Sequence, residues 1–189
     1  MIWFISDLHF NHKNIIWRGN RPFKNVEEMD EQLIKNWNRV VKKNDDMWYL
    51  GDFGWQLSPT RLKEIMEQLN GHKHLILGNH DKEKMMKHSN LWESVNYYKE
   101  LKIDDYKVVL MHYPLYEWNG CFNGAVHLYG HVHDTFNLRD VDLRHHNKRS
   151  FNVSADANNL TPISWQEIKK TLDLPEKGEY YNRKIIITE

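Results

Sequence analysis

Five short apolar runs in this chain each end directly in a polar cluster, and no other feature narrows the choice of fold as far. The clusters are Ser6-Asp7-Leu8-His9, Gly51-Asp52, Gly78-Asn79-His80-Asp81, Met111-His112 and Gly130-His131-Val132-His133. A short apolar run that stops abruptly at polar residues reads as a buried strand. In open α/β sheets, sites form beyond the carboxyl ends of strands. Five such ends would bring carboxylate, amide and imidazole groups into one crevice. Glycines at 51, 78 and 130 would relieve crowding there.

The segments between the runs fit the same architecture. Asn25 to about Lys43 reads as an amphipathic helix: Asn25 and Glu28 make a capping-box-like start, and Val26, Met29, Leu33, Trp37, Val40 and Val41 recur at helical spacing. A second helix has Ser58 as N-cap, Pro59 at its first position, Leu62, Ile65, Met66 and Leu69 as its apolar stripe, and Gly71 just past its end. With strands at Ile2–Ser6, Asp46–Leu50 and His74–Leu77, the first part of the chain predicts right-handed crossovers and a largely parallel sheet. Short strands then follow at Val95–Tyr98, Leu101–Ile103, Lys107–Met111, Val126–Tyr129, Phe151–Ser154 and Ile185–Thr188, with antiparallel or mixed pairing expected. Ser164 and Glu167 form a capping box for a last helix to about Leu172. The expected fold is α/β, two sheets with helices outside them. No repeat, low-complexity tract or linker divides the chain, so residues 1–189 are expected to form one domain.

Composition narrows the function. Lys+Arg and Asp+Glu each number 26, so there is no generic polyanion-binding surface. The single cysteine, Cys121, excludes an internal disulfide and a thiolate-rich zinc site, and suits a reducing, cytoplasmic setting. The first apolar run is too short for a signal peptide or membrane span. Asn152-Val153-Ser154 matches a glycosylation sequon, which carries no weight without a secretion signal.

Any metal must therefore use nitrogen and oxygen ligands. Imidazole with carboxylate suits divalent manganese, iron, zinc, cobalt or nickel. Two ions about 3.5–4 Å apart would lower the pKa of a bridging water and clamp phosphoryl oxygens during in-line displacement. Asp52, alone on its strand end, is the expected bridging carboxylate. Singly, each cluster has an ordinary reading as a helix cap, a turn or a core histidine. Those readings are independent of one another, whereas one binuclear site accounts for all five clusters.

The five blocks, Asp7-Leu8-His9, Gly51-Asp52, Gly78-Asn79-His80-Asp81, His112 and Gly130-His131-Val132-His133, resemble those of the calcineurin-like metallophosphoesterase superfamily in kind and order. The resemblance implies a four-layer α-β-β-α sandwich of two mixed sheets. It implies one metal held by Asp7, His9, Asp52 and His133, and a second held by Asp52, Asn79, His112 and His131, with manganese foremost. It assigns His80 as general acid or transition-state hydrogen-bond donor, with Asp81 orienting it. Imidazole is indeed the side chain best matched to protonate an alkoxide near neutrality. Phosphoprotein phosphatases carry an arginine soon after the second block. Here Phe53-Gly54-Trp55-Gln56 follows Asp52, which favours phosphodiesters or small phosphomonoesters. The stretch Asp7 to His12, with Arg21-Pro22-Phe23 after it, is similar to the small bacterial and phage branch.

His12, Arg18 and Arg21 lie close in sequence to the first block and are candidate substrate-binding residues. Trp55 and Trp118 fall in loops near metal blocks, where they would pack or stack on a nucleobase. The charge-rich stretch Arg139 to Arg149, with His145 and His146, reads as an exposed hairpin or loop rimming the cleft. The expected partner is a small phosphorylated, nucleotide-like substrate, with no membrane and no extended nucleic-acid surface. The competing functions are an inactive metal-binding scaffold of the same fold and a metal-dependent nuclease.

Overall fold

Period-two alternation along the first strands sorts their side chains between two cores. In the computed structural model, which describes residues 1–134 and 149–175, β1 (Ile2–Ile5) sends Trp3 and Ile5 to one side and Phe4 to the other. β2 (Asp46–Tyr49) does the same with Met47 and Tyr49 against Trp48, and β3 (His72–Ile76) with Leu75 against Ile76. These strands and β4 (Ser94–Asn96) are parallel, and β9 (Ile163–Ser164) adds an antiparallel edge, giving the order β4-β3-β2-β1-β9.

The first core lies under two helices. α2 (Val26–Val40) buries Met29, Leu33 and Trp37, and α3 (Pro59–Met66) buries Leu62, Ile65 and Met66. Each such side chain contributes on the order of 1.5–3 kcal/mol by leaving water. Asn25 Oδ1 caps α2 by accepting from Glu28 N at 2.8 Å, while Glu28 reaches back to Lys24 N rather than to Asn25, one residue short of a reciprocal box. Ser58 Oγ caps α3 by accepting from Arg61 N at 3.1 Å. Two shorter helices, α1 (Ile15–Arg18) and α4 (Glu83–His88), have too few apolar residues to be read from periodicity.

The second core fills the space between the sheets. The second sheet has the order β5-β6-β7-β8, with β5 (Tyr98–Ile103), β6 (Tyr106–Met111), β7 (Val126–Tyr129) and β8 (Ser150–Asn152). β5 and β6 form an antiparallel hairpin, whereas β6, β7 and β8 run parallel, so this sheet is mixed as well. Val108, Leu110, Val126, Leu128 and Phe151 face Phe4, Trp48, Leu50 and Ile76 across the gap, and Trp165 and Ile168 of α5 (Trp165–Thr171) join them. On the outer side, Val109 and Tyr129 pack under Trp118, Cys121 and Ala125 of the β6–β7 connection. α5 starts with the expected capping box of Ser164 and Glu167.

The fold is mixed α/β with two mixed sheets and flanking helices. Several expected bounds shift: α2 stops at Val40 and α3 at Met66, so Gly71 lies five residues past α3 rather than just beyond it, and Val95–Tyr98 divides between β4, a parallel strand of the first sheet, and β5, which begins at Tyr98 and contains Leu101–Ile103. The expected strand Ile185–Thr188, and the stretch from Arg139 with His145 and His146, lie outside the described residues, apart from Arg149. No helix among the described residues is long and apolar enough to cross a membrane.

Candidate metal centre

The polar clusters that follow β1, β2, β3, β6 and β7 converge at one edge of the two sheets. Several of their residues sit in left-handed backbone: Asp7 (φ 57°), His9 (φ 53°), Asp52 (φ 61°), His131 (φ 72°) and His133 (φ 51°). Such conformations cost on the order of 1–3 kcal/mol each for residues other than glycine, and persist only where surrounding bonds fix them. Asp7 N donates to Gly51 O at 2.9 Å and His9 N to Asp52 O at 3.2 Å. Tyr49 Oη accepts from Leu8 N at 2.8 Å and donates to Asp52 O at 3.2 Å, tying the first two loops together from below. Gly51 (φ 91°) packs so closely that a Cβ there would lie 2.5 Å from His112 Nδ1 and 2.7 Å from the Gly78 backbone.

The side chains leave donor atoms aimed inward. Asp7 is fully buried; its Oδ2 accepts from Ser6 Oγ at 2.5 Å, His131 N at 3.0 Å and Ser154 Oγ at 3.0 Å, while its Oδ1 has no hydrogen-bond partner and stands 4.0 Å from His9 Nε2. Both ring nitrogens of buried His9 also lack hydrogen-bond partners. Asp52 Oδ1 accepts from His80 N at 2.9 Å. Its Oδ2 stands 3.6 Å from His112 Nε2, 3.7 Å from His9 Nε2 and 3.9 Å from His80 Nε2. Asn79 Oδ1 lies 3.0 Å from His112 Nε2 and 2.9 Å from His131 Nδ1. His112 Nδ1 lies 2.7 Å from Leu50 O, an arrangement in which Nδ1–H donates and the Nε2 lone pair faces the cluster beside Asn79 Oδ1 and Asp52 Oδ2. His133 Nδ1 is 2.5 Å from Asp156 Oδ2, which frees its Nε2 in the same way, and its ring stacks on His9 at 5.3 Å. Candidate ligand atoms of Asp7, His9 and His133, and of Asp7, Asp52 and His112, lie within 4.8 Å of one another.

Burial dominates the electrostatics of the site. Burial, reinforced by His133, Arg21, His12 and His80, pushes His9 down to about 2, so its imidazole is neutral. Burial pushes the Asp52 carboxyl up to about 6. A neutral imidazole and a carboxylate that resists ionisation without a nearby positive charge are the groups a divalent ion would complete. The unpartnered atoms of Asp7 and His9 fit that requirement, since buried polar atoms otherwise find hydrogen bonds.

Asp81 does not orient His80. Its Oδ2 accepts from Asp52 N and Gly78 N, both at 2.9 Å, and its Oδ1 from Phe53 N at 3.0 Å. Its carboxylate therefore braces the loops that carry Asp52 and Asn79. The His80 ring instead meets Trp55 edge-on at 4.9 Å and His9 at 5.6 Å.

Arg21 is not available to a substrate. Its guanidinium is buried, with Nε and Nη2 donating to Asp156 at 2.8 and 3.0 Å, Nη1 to Leu8 O at 2.6 Å and Nη2 to Asp7 O at 2.7 Å. Every arm of the fork holds the first metal loop or Asp156. Arg18 is exposed and lies over the Trp17 ring, away from the cluster's hydrogen bonds. His12 is buried beside the cluster, 5.5 Å from His9 and stacked on Trp55 at 4.6 Å. Trp118 is a packing residue, buried with its Nε1 donating to Ala125 O at 3.0 Å.

Asp156 is the principal residue that the sequence reading missed, with Asn152 and Ser154 beside it. Burial alone would raise its carboxyl, but hydrogen bonds from His133 and Arg21 prevail and hold it at about 2. Asn152 Nδ2 donates to His133 O at 2.5 Å. The signal was present: β8 is a sixth strand that ends in polar residues, Asn152-Val153-Ser154-Ala155-Asp156, and the rule used for the other five applies to it equally.

A mixed α/β protein with candidate metal-ligating groups gathered at its strand ends is the class these observations define. The model of the calcineurin-like phosphoesterase superfamily domain matches residues 1–153, and the chain belongs to that superfamily of metal-dependent phosphoesterases. It is 39% identical to an uncharacterized protein of Methanocaldococcus jannaschii, over 94% of this chain and 93% of that one. It is 29% identical to the gene 66 protein of Mycobacterium phage L5, over 82% and 86% of the two chains. Among solved structures it is similar to a protein of unknown function from Aquifex aeolicus, with a TM-score of 0.72, 28% identity, and 90% of this chain and 98% of that one covered.

Proposed function

We propose that this protein is a dinuclear metal-dependent phosphoesterase that hydrolyses a phosphodiester or small phosphomonoester. The buried, unpartnered Asp7 Oδ1 and His9 imidazole, facing Asp52 Oδ2 among three imidazole nitrogens, carry this reading. Asp7, His9, Asp52 and His133 would hold one ion, and Asp52, Asn79, His112 and His131 the other. The all-nitrogen-and-oxygen donor set suits manganese, and equally iron, zinc, cobalt or nickel. When bound, such ions generate a nucleophile from water at neutral pH and neutralise charge on phosphoryl oxygens.

The chain's own groups supply the rest. Leu50 O and Asp156 fix the tautomers of His112 and His133, so that Nε2 of each faces the cluster as a lone pair. His80 stands at the rim with its backbone N–H held by Asp52 Oδ1, and donates a proton or hydrogen bond to the departing oxygen. Asp81 keeps Asp52 and Gly78 in register beneath it.

The manganese-loaded protein is expected to hydrolyse bis-p-nitrophenyl phosphate, and a chelator to abolish that turnover. Absence of turnover with all five metals would favour a non-catalytic scaffold instead. His80→Ala is expected to keep its metal content by elemental analysis while kcat falls by about 10²–10⁴-fold, the usual contribution of a positioned acid. Loss of bound metal in that variant would instead make His80 a ligand.

A further inference from the structure

Two aromatic rings stand at the rim of the cluster, each against a different group of its imidazoles. Trp55 is partly exposed, stacks on His12 at 4.6 Å with an interplanar angle of 23°, and meets His80 edge-on at 4.9 Å. Tyr113 is 40% exposed and lies 4.6 Å from the His131 ring and 5.2 Å from His112. Neither ring is placed as the core aromatics are, since Trp118 and Trp165 are buried. Among the described residues, the Tyr113 hydroxyl has no hydrogen-bond partner.

The Trp55 loop is also fixed to the first metal loop. Trp55 N donates to Phe10 O at 2.8 Å, Asn11 Nδ2 donates to Trp55 O at 3.1 Å, and Gly54 forms a bridge with Phe10. A ring held in this way is a preformed surface, so a group stacking on it loses little in ordering the loop. Its neighbour His80 is the side chain placed to assist a leaving group, so whatever leaves departs alongside Trp55. Tyr113, next to His112 and His131, borders the other end of the cluster. A planar π-system is the chemical group that two such rings recognise, through stacked and edge-to-face contacts that do not depend on charge.

We propose that Trp55 and Tyr113 are stacking surfaces of the substrate site, and that the substrate is a phosphoester bearing a planar aromatic ring, with Trp55 receiving the ring of the leaving group. This rests on the phosphoesterase reading above. A simple aryl ester and a nucleobase share that chemistry, and two pairs of probes separate them.

Calorimetric binding of phenylphosphonate and methylphosphonate to the manganese-loaded protein tests the proposal directly. Phenylphosphonate is expected to bind about tenfold more tightly, in the range that a single stacked ring contributes. That preference is expected to fall below about threefold in the leucine variant of whichever ring receives the single phenyl group, Trp55→Leu or Tyr113→Leu, and to persist in Trp55→Phe, which keeps a ring and checks the fold. A ratio near one in the wild type, or a full ratio in both leucine variants, would overturn the proposal. In the second pair, inhibition of bis-p-nitrophenyl phosphate turnover by AMP, set against ribose 5-phosphate, identifies a nucleobase if AMP is preferred, and a simple aryl group if the two are equal while phenylphosphonate keeps its advantage. Turnover with a phenyl-to-methyl ratio of one removes only the aromatic proposal. Absence of both turnover and methylphosphonate binding removes the phosphoesterase reading itself.

Discussion

Asp52→Asn is expected to weaken divalent-metal binding by at least about 100-fold, above the 10–100-fold typical of losing a mere supporting partner. The substitution keeps the size of the side chain and one oxygen, so Oδ1 can still accept from His80 N. It removes the negative charge from the group that stands within 3.6–3.9 Å of the Nε2 atoms of His112, His9 and His80. Any amide orientation that preserves the His80 bond turns an NH₂ toward those nitrogens, where a cation would be repelled. Without metal the sign reverses. Burial raises the Asp52 carboxyl from 3.8 to about 6, so its ionisation costs folding free energy as pH rises from 4 to 6, and the full cost is present at neutrality. The metal-free Asn variant is therefore expected to melt no lower than the metal-free wild type at pH 7. A ligand at 100 times its Kd stabilises the folded state by about 2.7 kcal/mol, or about 5–10 °C in Tm for a chain of this size. The wild type should show that rise with manganese, and Asp52→Asn should not. An equal rise in both proteins would remove Asp52 from the ligand set.

The fold was readable where local pattern and burial coincide. β1, β2 and the second half of β3 are short, apolar on both faces and followed by Ser-Asp or Gly, so their carboxyl ends and the residues beyond them could be located without coordinates, whereas His72 and Lys73 hid the start of β3. β5 was harder because it is an edge strand: Lys99, Glu100 and Lys102 interrupt its apolar pattern, and only its pairing from Tyr98↔Met111 to Ile103↔Tyr106 makes it continuous. The convergence of the seven candidate ligand residues followed from the same strand-end rule. Partner choice did not follow, because it depends on approaches between distant segments. Arg21 and Asp156 meet across 135 positions, and nothing near either residue in sequence points to the other. Asp81 misled for the opposite reason. It adjoins His80, but a carboxylate folded beneath a turn is better satisfied by the three backbone amides that surround it.

Arg21→Ala is expected to destabilise the protein by about 3–5 kcal/mol, the cost of breaking a buried ion pair from one side. The Arg21 and Asp156 side chains are 1% and 3% exposed, so neither charge can be rescued by water. Removing the guanidinium leaves Asp156 with His133 alone and strips the carbonyls of Asp7 and Leu8 of their donors, in a loop whose backbone is already left-handed at Asp7 and His9. At about 2–4 °C per kcal/mol, Tm should fall by roughly 6–20 °C. Arg21→Lys should lose most of the same stability, because one ammonium cannot reproduce a planar fork that grips a carboxylate and two carbonyls together. The double variant Arg21→Met with Asp156→Asn should lose less than the sum of its single substitutions, since it removes the buried charge along with its partner. A substrate-binding arginine predicts the reverse pattern, an unchanged Tm with a raised KM, and that result would return Arg21 to the cleft.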